Sequence, residues 1–393
     1  MILVKILTHF YKNTYLYATL DAKRRGILWI KTCINCTLKF DSVILWLFKL
    51  MSLSYWYFKI VKSNINNNNL ITLKDPDYFF KLQKSFKKIP YSQSRGWYSY
   101  VNQLKTTTVF FVNSEQDLKI ACWGVEHKIP MTGKKILVIP GECYKSNLGE
   151  QEIKDFYEKL FVLDYQGVEI NSGSYYNINF EIGLKLAGYH RPLGSFSSNL
   201  SIEVDFEYGP NFDNNWKGNI RKGFKNQLNV VEIKEFDKVV FLQIFGVFED
   251  MSRLKGLNHH NKDALNALLL SDDMRTFIVY DKKNIPLSVN VIHTNKPYAT
   301  FVFAANSSKS KIRNGSHFIV DHVMKELKKE KFDFFDLLRI PVSNGPKNGI
   351  YIFKKGTRGN KIQYNGEWAS YKNLFLEVLM FCYRVFYQKK NRY

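Results

Sequence analysis

The residues whose types and spacing suit chemistry lie near the end of this chain. Asp336 follows an apolar, aromatic run and would stand at the tip of a predicted strand, and Lys354 ends a second short run of β-type residues. Polar groups at the ends of neighbouring strands are where sites are commonly built. Acyl transfer to an amine needs a fixed cation or N–H donor, because negative charge develops on the carbonyl oxygen. Lys354 is therefore the first candidate catalytic residue, and Asp336, which could orient it or the amine, is the second.

Both candidates also have a purely structural interpretation. A lysine at a strand end beside Lys355 commonly does no more than face solvent. An aspartate in this position commonly caps a turn. The residue types alone leave these alternatives open.

A second candidate set is basic and lies in the middle of the chain. Arg221, Lys222 and Lys225 fall within about one turn of a predicted helix, and Lys225 shares a face with the other two. Such a group suits phosphate oxygens, because an arginine can grip them with two parallel hydrogen bonds. A solvated basic helix face is the alternative.

Five motifs follow one another along the chain. They are the segment from Tyr91 to Trp97, the basic helix from Asn219 to Asn226, the strand with Ala304 to Ser307, Arg313-Asn314-Gly315 before a helix, and Asp336 to Pro341 followed by Gly349 to Gly356. In this order they resemble the motifs of the FemAB-like acyltransferases, the aminoacyl-tRNA-dependent enzymes that build peptidoglycan cross-bridges on a GNAT-like fold. The chain departs from the family pattern at Arg339, where a glycine is usual, and at Leu337, usually aromatic.

The resemblance implies an α/β protein with tandem GNAT-like (acyl-CoA N-acyltransferase) domains, in which mixed sheets are flanked by helices. It implies aminoacyl-tRNA as the donor, and a nucleotide- or lipid-linked envelope precursor as the acceptor, with no metal or cofactor. Lys354 would contact the acyl donor and Phe353 would shape its pocket. Arg221, Lys222, Lys225 and Arg339 would bind substrate, and Trp97 would help close the acceptor cleft or serve as a core anchor.

Two other functions fit the same sequence. One is an acyltransferase of surface polysaccharide that uses an acyl thioester, and the other is a non-catalytic GNAT-fold binding protein. Arg339 in place of glycine favours the second. The sequence contains no phosphate-binding P-loop, dinucleotide-binding glycine fingerprint or zinc motif.

The elements that must position these residues alternate between helix and strand in two similar rounds. We predict one GNAT-like domain over residues 91–210 and a second, with a C-terminal helix, over residues 211–393. Residues 1–90 form a basic, aromatic-rich extension and linker, which includes four consecutive asparagines at 66–69. Met51 is an alternative start, in which case residues 1–50 would not belong to the native protein.

Composition points to anionic partners and a reducing compartment. The formal net charge is +22, and the first 90 residues carry 15 basic against 4 acidic side chains. Nucleic acid, anionic lipid or a phosphorylated substrate would suit this charge, although an AT-rich coding bias would also enrich lysine. Residues 1–62 lack an uninterrupted apolar span, so we expect a cytoplasmic protein with peripheral contact to the inner membrane surface. Five cysteines make no disulfide framework.

Overall fold

The computed structural model describes residues 70–129, 132–194, 197–341 and 348–384. The predicted membrane-contacting segment lies outside these residues. No helix in the described ranges is long and apolar enough to cross a membrane.

Thirteen strands form one mixed sheet within the described residues. Their order across the sheet is β1-β2-β3-β4-β6-β13-β7-β12-β11-β10-β9-β8, and the short β5 pairs with β3. The strands are β1 (Ile71–Leu73), β2 (Thr107–Val112), β3 (Ile120–Lys128), β4 (Lys135–Ile139), β5 (Cys143–Tyr144), β6 (Tyr165–Tyr175), β7 (Leu200–Asp205), β8 (Asn229–Ile233), β9 (Met274–Tyr280), β10 (Pro286–Asn295), β11 (Tyr298–Asn306), β12 (Phe334–Arg339) and β13 (Asn360–Tyr371).

Helices connect and cover these strands, and several begin at a side-chain cap such as Ser94 or Asp213. The helices are α1 (Pro76–Gln83), α2 (Arg95–Asn102), α3 (Glu150–Val162), α4 (Ile178–Leu186), α5 (Asn214–Lys225), α6 (Lys238–Lys255), α7 (Lys262–Leu269), α8 (Ser308–Arg313), α9 (Gly315–Lys329), α10 (Gly349–Lys355) and α11 (Leu374–Cys382). A turn of 3₁₀-helix, Tyr91–Gln93, precedes α2.

The same arrangement occurs twice along the chain. Strands β2, β3 and β4 are antiparallel neighbours, and a crossover through α3 returns the chain to β6, which is parallel to β4. Strands β9, β10 and β11 repeat this order, and α8 and α9 lead to β12, which is parallel to β11. The predicted tandem GNAT-like α/β fold is therefore confirmed.

Helices bury both faces of the sheet, because successive strand residues point to opposite sides. Phe277 and Val279 pack into one apolar cluster, whereas Ile278 between them packs into another. Phe111 and Phe110 divide in the same way between the two clusters of the first half. Covered on both sides, such strands have nearly continuous apolar sequences instead of a clear alternation.

Two strands join the halves. β13, from the end of the chain, pairs with β6 of the first half and also with β7. β7, which precedes residue 210, pairs with β12 of the second half. The predicted domain boundary at residue 210 thus remains a proposal. The sheet itself continues from the first half into the second without a break.

The segment that carries Lys354 is not the predicted strand. Residues Gly349–Lys355 form helix α10, with Ile350 and Ile352 exposed. Tyr351 and Phe353 pack against the core of the second half, and Lys354 is buried. β-Type residues were a weak signal in so short a run, because tertiary packing overrides local propensity.

Candidate active site

A cavity of about 150 Å³ lies where the two halves of the sheet meet. The strands β11 and β12 pair only from Tyr298 to Thr300 and from Phe334 to Asp336, and Thr300 and Asp336 face the cavity where this pairing ends. Separation of two parallel strands leaves room for a ligand between them. The full lining is Lys88, Pro90, Tyr91, Ser92, Trp97, Pro140, Asn171, Gly173, Thr300, Asp336, Leu338, Arg339 and Tyr364.

Asp336 is a buried carboxylate whose oxygens already accept hydrogen bonds. The Ser201 hydroxyl donates to Oδ1 at 2.7 Å, and the Leu338 amide donates to the same oxygen at 2.8 Å. The Tyr364 hydroxyl donates to Oδ2. Burial first, and then the charge of Asp336, raises the pKa of Tyr364, so this phenol stays protonated as a donor. Asp336 thus links the Ser201 hydroxyl, the Leu338 amide and the Tyr364 hydroxyl through hydrogen bonds.

Leu338 lies near the end of β12, at a bulge where the register against β7 shifts between Asp336 and Arg339. Its φ of 64° lies in the left-handed region, which a leucine rarely adopts. Asp336 accepts its amide hydrogen, and Lys354 Nζ donates to its carbonyl oxygen at 3.1 Å. Lys354 Nζ also donates to the Arg339 carbonyl oxygen at 2.9 Å. The two candidate catalytic residues therefore meet at this irregular stretch of β12, which we call the Leu338 bulge.

Lys354 donates hydrogen bonds to the Leu338 bulge and does not line the cavity. Burial lowers its pKa to about 8, an effect that the charge of Asp336 opposes. The side chain is therefore mainly an ammonium at neutral pH. Two of its three N–H groups have carbonyl partners, and these contacts fix the backbone on which Leu338 and Arg339 reach the cavity.

Arg339 stands where the resemblance led us to expect a glycine, and it connects the two halves. Its Nη1 donates to the Ser198 carbonyl oxygen at 2.6 Å. Its Nη2 donates to Asn171 Oδ1 at 2.7 Å and to the Ser172 carbonyl oxygen at 3.2 Å. Both ends of the guanidinium fork are thus occupied within the protein. Arg339 forms a fixed wall of the cavity.

The two aromatic candidates lie in different surroundings. Trp97 lines the cavity and stacks on Tyr100, with ring centroids 5.1 Å apart. Phe353 lies outside the lining and packs against Trp216 and His317, with centroids 4.8 and 4.9 Å away. The Trp216 indole also donates to the Phe353 carbonyl oxygen at 2.8 Å. Trp97 therefore lies at the cavity, whereas Phe353 packs against the apolar core of the second half.

The basic candidates lie away from the cavity lining. Arg221, Lys222 and Lys225 are exposed on α5, and none of them makes an ion pair or side-chain hydrogen bond within the described ranges. A phosphate-binding role for them remains a proposal about the protein surface.

The sequence did not reveal two ionisable residues whose polar atoms are buried. Lys88 lines the cavity, although the pair Lys87-Lys88 looks like ordinary surface lysine. Glu142 is fully buried, and its Oε1 accepts a hydrogen bond from the Ser172 hydroxyl at 2.5 Å. Burial raises the pKa of Glu142 to about 7, against the opposing effects of two serines and Arg339. The one sequence feature that drew attention to this position was Pro140-Gly141 directly before Glu142, where we expect a buried strand to end.

Two further observations bear on metal and thiol chemistry. The described ranges contain no group of three or more His, Cys, Asp or Glu side chains suited to a metal ion. Cys122 and Cys143 are buried free thiols, and burial raises the pKa of both, so neither has the character of a nucleophile.

No protein-family model matches this chain, and no curated protein matches it. Solved structures do. FemX aligns with a TM-score of 0.64 at 11% identity, over 79% of this chain and 100% of FemX. L-PGS from Bacillus licheniformis aligns with a TM-score of 0.56 at 13% identity, over 78% and 96% of the two chains.

A third structure has the same architecture. It is the C-terminal domain of a protein from Agrobacterium fabrum assigned as a lysylphosphatidylglycerol synthetase, with a TM-score of 0.53 at 11% identity, over 77% of this chain and 93% of that one. At these identities the likeness concerns the fold. The chain therefore has the tandem GNAT-like fold that its motifs predicted.

Proposed function

We propose that this protein is an acyltransferase that moves an aminoacyl group from an activated ester to an amine or hydroxyl of a cell-envelope precursor. The observation that carries the proposal is the cavity at the parting of β11 and β12, bounded by the Leu338 bulge that Asp336 and Lys354 hold. The name of the lysylphosphatidylglycerol synthetase structure supports a phosphorylated, lipid-linked acceptor for an aminoacyl group. The motifs that resemble the FemAB-like acyltransferases support aminoacyl-tRNA as the donor.

This reaction depends mainly on holding the two substrates close together in the correct orientation. The nucleophile of the acceptor forms a bond to the donor carbonyl carbon, the ester C–O bond breaks, and the proton that the nucleophile loses ends on the departing ribose oxygen. Holding both substrates in reacting geometry supplies much of the rate. We propose that Asp336 and Lys354 act as positioning residues, because both fix the backbone of the cavity.

A transfer assay tests the function. The full chain is incubated with total tRNA charged with radiolabelled amino acids, and with lipid-linked envelope precursors or phosphatidylglycerol as acceptors. Label should move from tRNA to an acceptor. Parallel reactions with labelled acyl thioesters test the polysaccharide alternative, and an absence of transfer from either donor would favour a binding protein.

We further propose that the basic face of α5 contacts the RNA backbone of the donor. Replacing both Arg221 and Lys225 with alanine should raise the KM for charged tRNA more than it changes kcat, because this contact does not change in the transition state. The slope of log affinity against log salt should fall by about 1 to 2. Replacing Lys328 and Lys329 on α9 is a matched control for charge. Equal slopes for the wild type and the double variant would contradict the proposal.

Contact of residues 1–62 with an anionic membrane is also a proposal. The full chain should sediment with anionic liposomes, and a chain that begins at Lys74 should not, since each basic residue near such a surface gains about 1 kcal/mol. Equal sedimentation of the two chains would rule this contact out.

A further inference from the structure

Lys88 reaches the cavity from a loop that is fixed against the second half. The loop follows α1, and the amide of Ile89 donates to Asn295 Oδ1 at 2.9 Å. Lys88 itself is a lining residue of the cavity. Its position is therefore set by both halves of the molecule.

The ammonium of Lys88 is enclosed on one side by aromatic rings. Nζ lies 3.3 Å from the ring centroid of Tyr175 and 4.8 Å from that of Tyr298. The faces of such rings attract a cation but accept no strong hydrogen bond. Burial lowers the pKa of Lys88, and the charges of Asp336 and Glu203 oppose this effect, although both carboxylates already accept hydrogen bonds from hydroxyl groups.

Lys88 Nζ is buried and has no hydrogen-bond partner among the described residues. A buried ammonium in this state is costly, because three N–H groups have left water without new acceptors. Arg339, the other cation of the lining, has its guanidinium fork occupied by backbone and side-chain oxygens. Lys88 is thus the cation of this lining whose N–H groups are free to donate to a ligand oxygen.

We propose that Lys88 binds an anionic oxygen of the substrate in this cavity, from either a phosphate or a carboxylate group. The identity of that ligand as an acyl donor or acceptor rests on the proposed function. The binding itself depends on the cavity alone and can be measured without a turnover assay.

The experiment is a calorimetric titration of the full chain with inorganic phosphate, and separately with acetate, at fixed ionic strength. The variants are Lys88→Met, which keeps an unbranched side chain of similar shape without the charged end group, and Lys87→Met, which makes the same change at the exposed neighbouring lysine. We expect saturable binding by the wild type and Lys87→Met, and at least tenfold weaker binding by Lys88→Met. Whichever anion shows this difference identifies the ligand class.

A stability measurement separates a binding role from a structural one. If Lys88 binds a ligand and does not stabilise the fold, Lys88→Met should melt at the same temperature as the wild type or higher, since an unpaired buried charge is removed. A fall of several degrees would mark a structural cation and overturn the proposal. Equal anion binding by Lys88→Met and the wild type, or no saturable binding of either anion to the wild type, would also overturn it.

The proposed function and the proposed role of Lys88 can be refuted independently of each other. Anion binding that depends on Lys88, in a protein that transfers no label from any donor, would refute the proposed function alone. Transfer that survives Lys88→Met with unchanged KM and kcat would refute the Lys88 proposal alone.

Discussion

Replacing Lys354 with methionine should lower the rate of acyl transfer on the order of a hundredfold while leaving the fold intact. Lys354 holds the carbonyl oxygens of Leu338 and Arg339, and its loss would release the Leu338 bulge, which bounds the cavity. Losing alignment at a reacting centre by about 1 Å costs about this much. Stability should change little, because the lost hydrogen bonds are offset by removal of a buried charge.

The transfer assay, run with the wild type and the variant, measures this effect. Lys355→Met is the matched control, because this neighbouring lysine is exposed at the end of the same helix. The loss should appear in kcat more than in KM. Turnover by Lys354→Met equal to that of the control would remove Lys354 from the site.

Glu142→Gln should abolish a pH dependence of stability that this one carboxyl group imposes. The folded state holds the Glu142 proton up to a pKa of about 7, whereas the unfolded chain releases it near 4.5. Between these values the folded state binds more protons, so the free energy of unfolding falls as the pH rises. The difference in pKa corresponds to a loss of about 3 kcal/mol by pH 8.

Urea unfolding at pH 5 and pH 8 measures this slope. The wild type should lose stability over the interval, and Glu142→Gln should lose about 3 kcal/mol less. Glu249→Gln, at an exposed glutamate on α6, is the control for a general effect of charge. If the two variants and the wild type showed parallel curves, Glu142 would not carry its proton at neutral pH.

The fold could be predicted from the sequence because its signals are repeated. Two rounds of alternating helices and buried strands, together with motifs in a fixed order, indicate a tandem α/β fold even without high identity. The location of Lys354 could not be derived in this way. Seven residues rich in isoleucine and aromatic side chains carry no reliable period, and the packing of Phe353 beside Trp216 favours a helix.

The remaining part of the site depends on long-range contacts. Whether Lys88 faces solvent or a cavity is decided by its loop binding Asn295, far away in the sequence. Glu142 is buried beside Ser172, 30 residues away in the sequence, and the Pro140-Gly141 pair before it indicates only the end of a strand. Arg339 looks like a departure from the family pattern, yet its partners Asn171 and Ser198 explain its place. Sequence patterns report local structure well, whereas these residues acquire their properties from tertiary structure.

The position of β13 has a consequence for synthesis on the ribosome. β13 pairs Glu169 with Ala369, a separation of 200 residues, and it lies between β6 and β7 at the centre of the sheet. The first half therefore keeps an unpaired edge at β6 until residue 371 has been translated. Exposed strand edges promote misassociation, and such distant pairing slows folding. Early release of the nascent chain should thus yield an aggregation-prone product, even when everything before β13 is present.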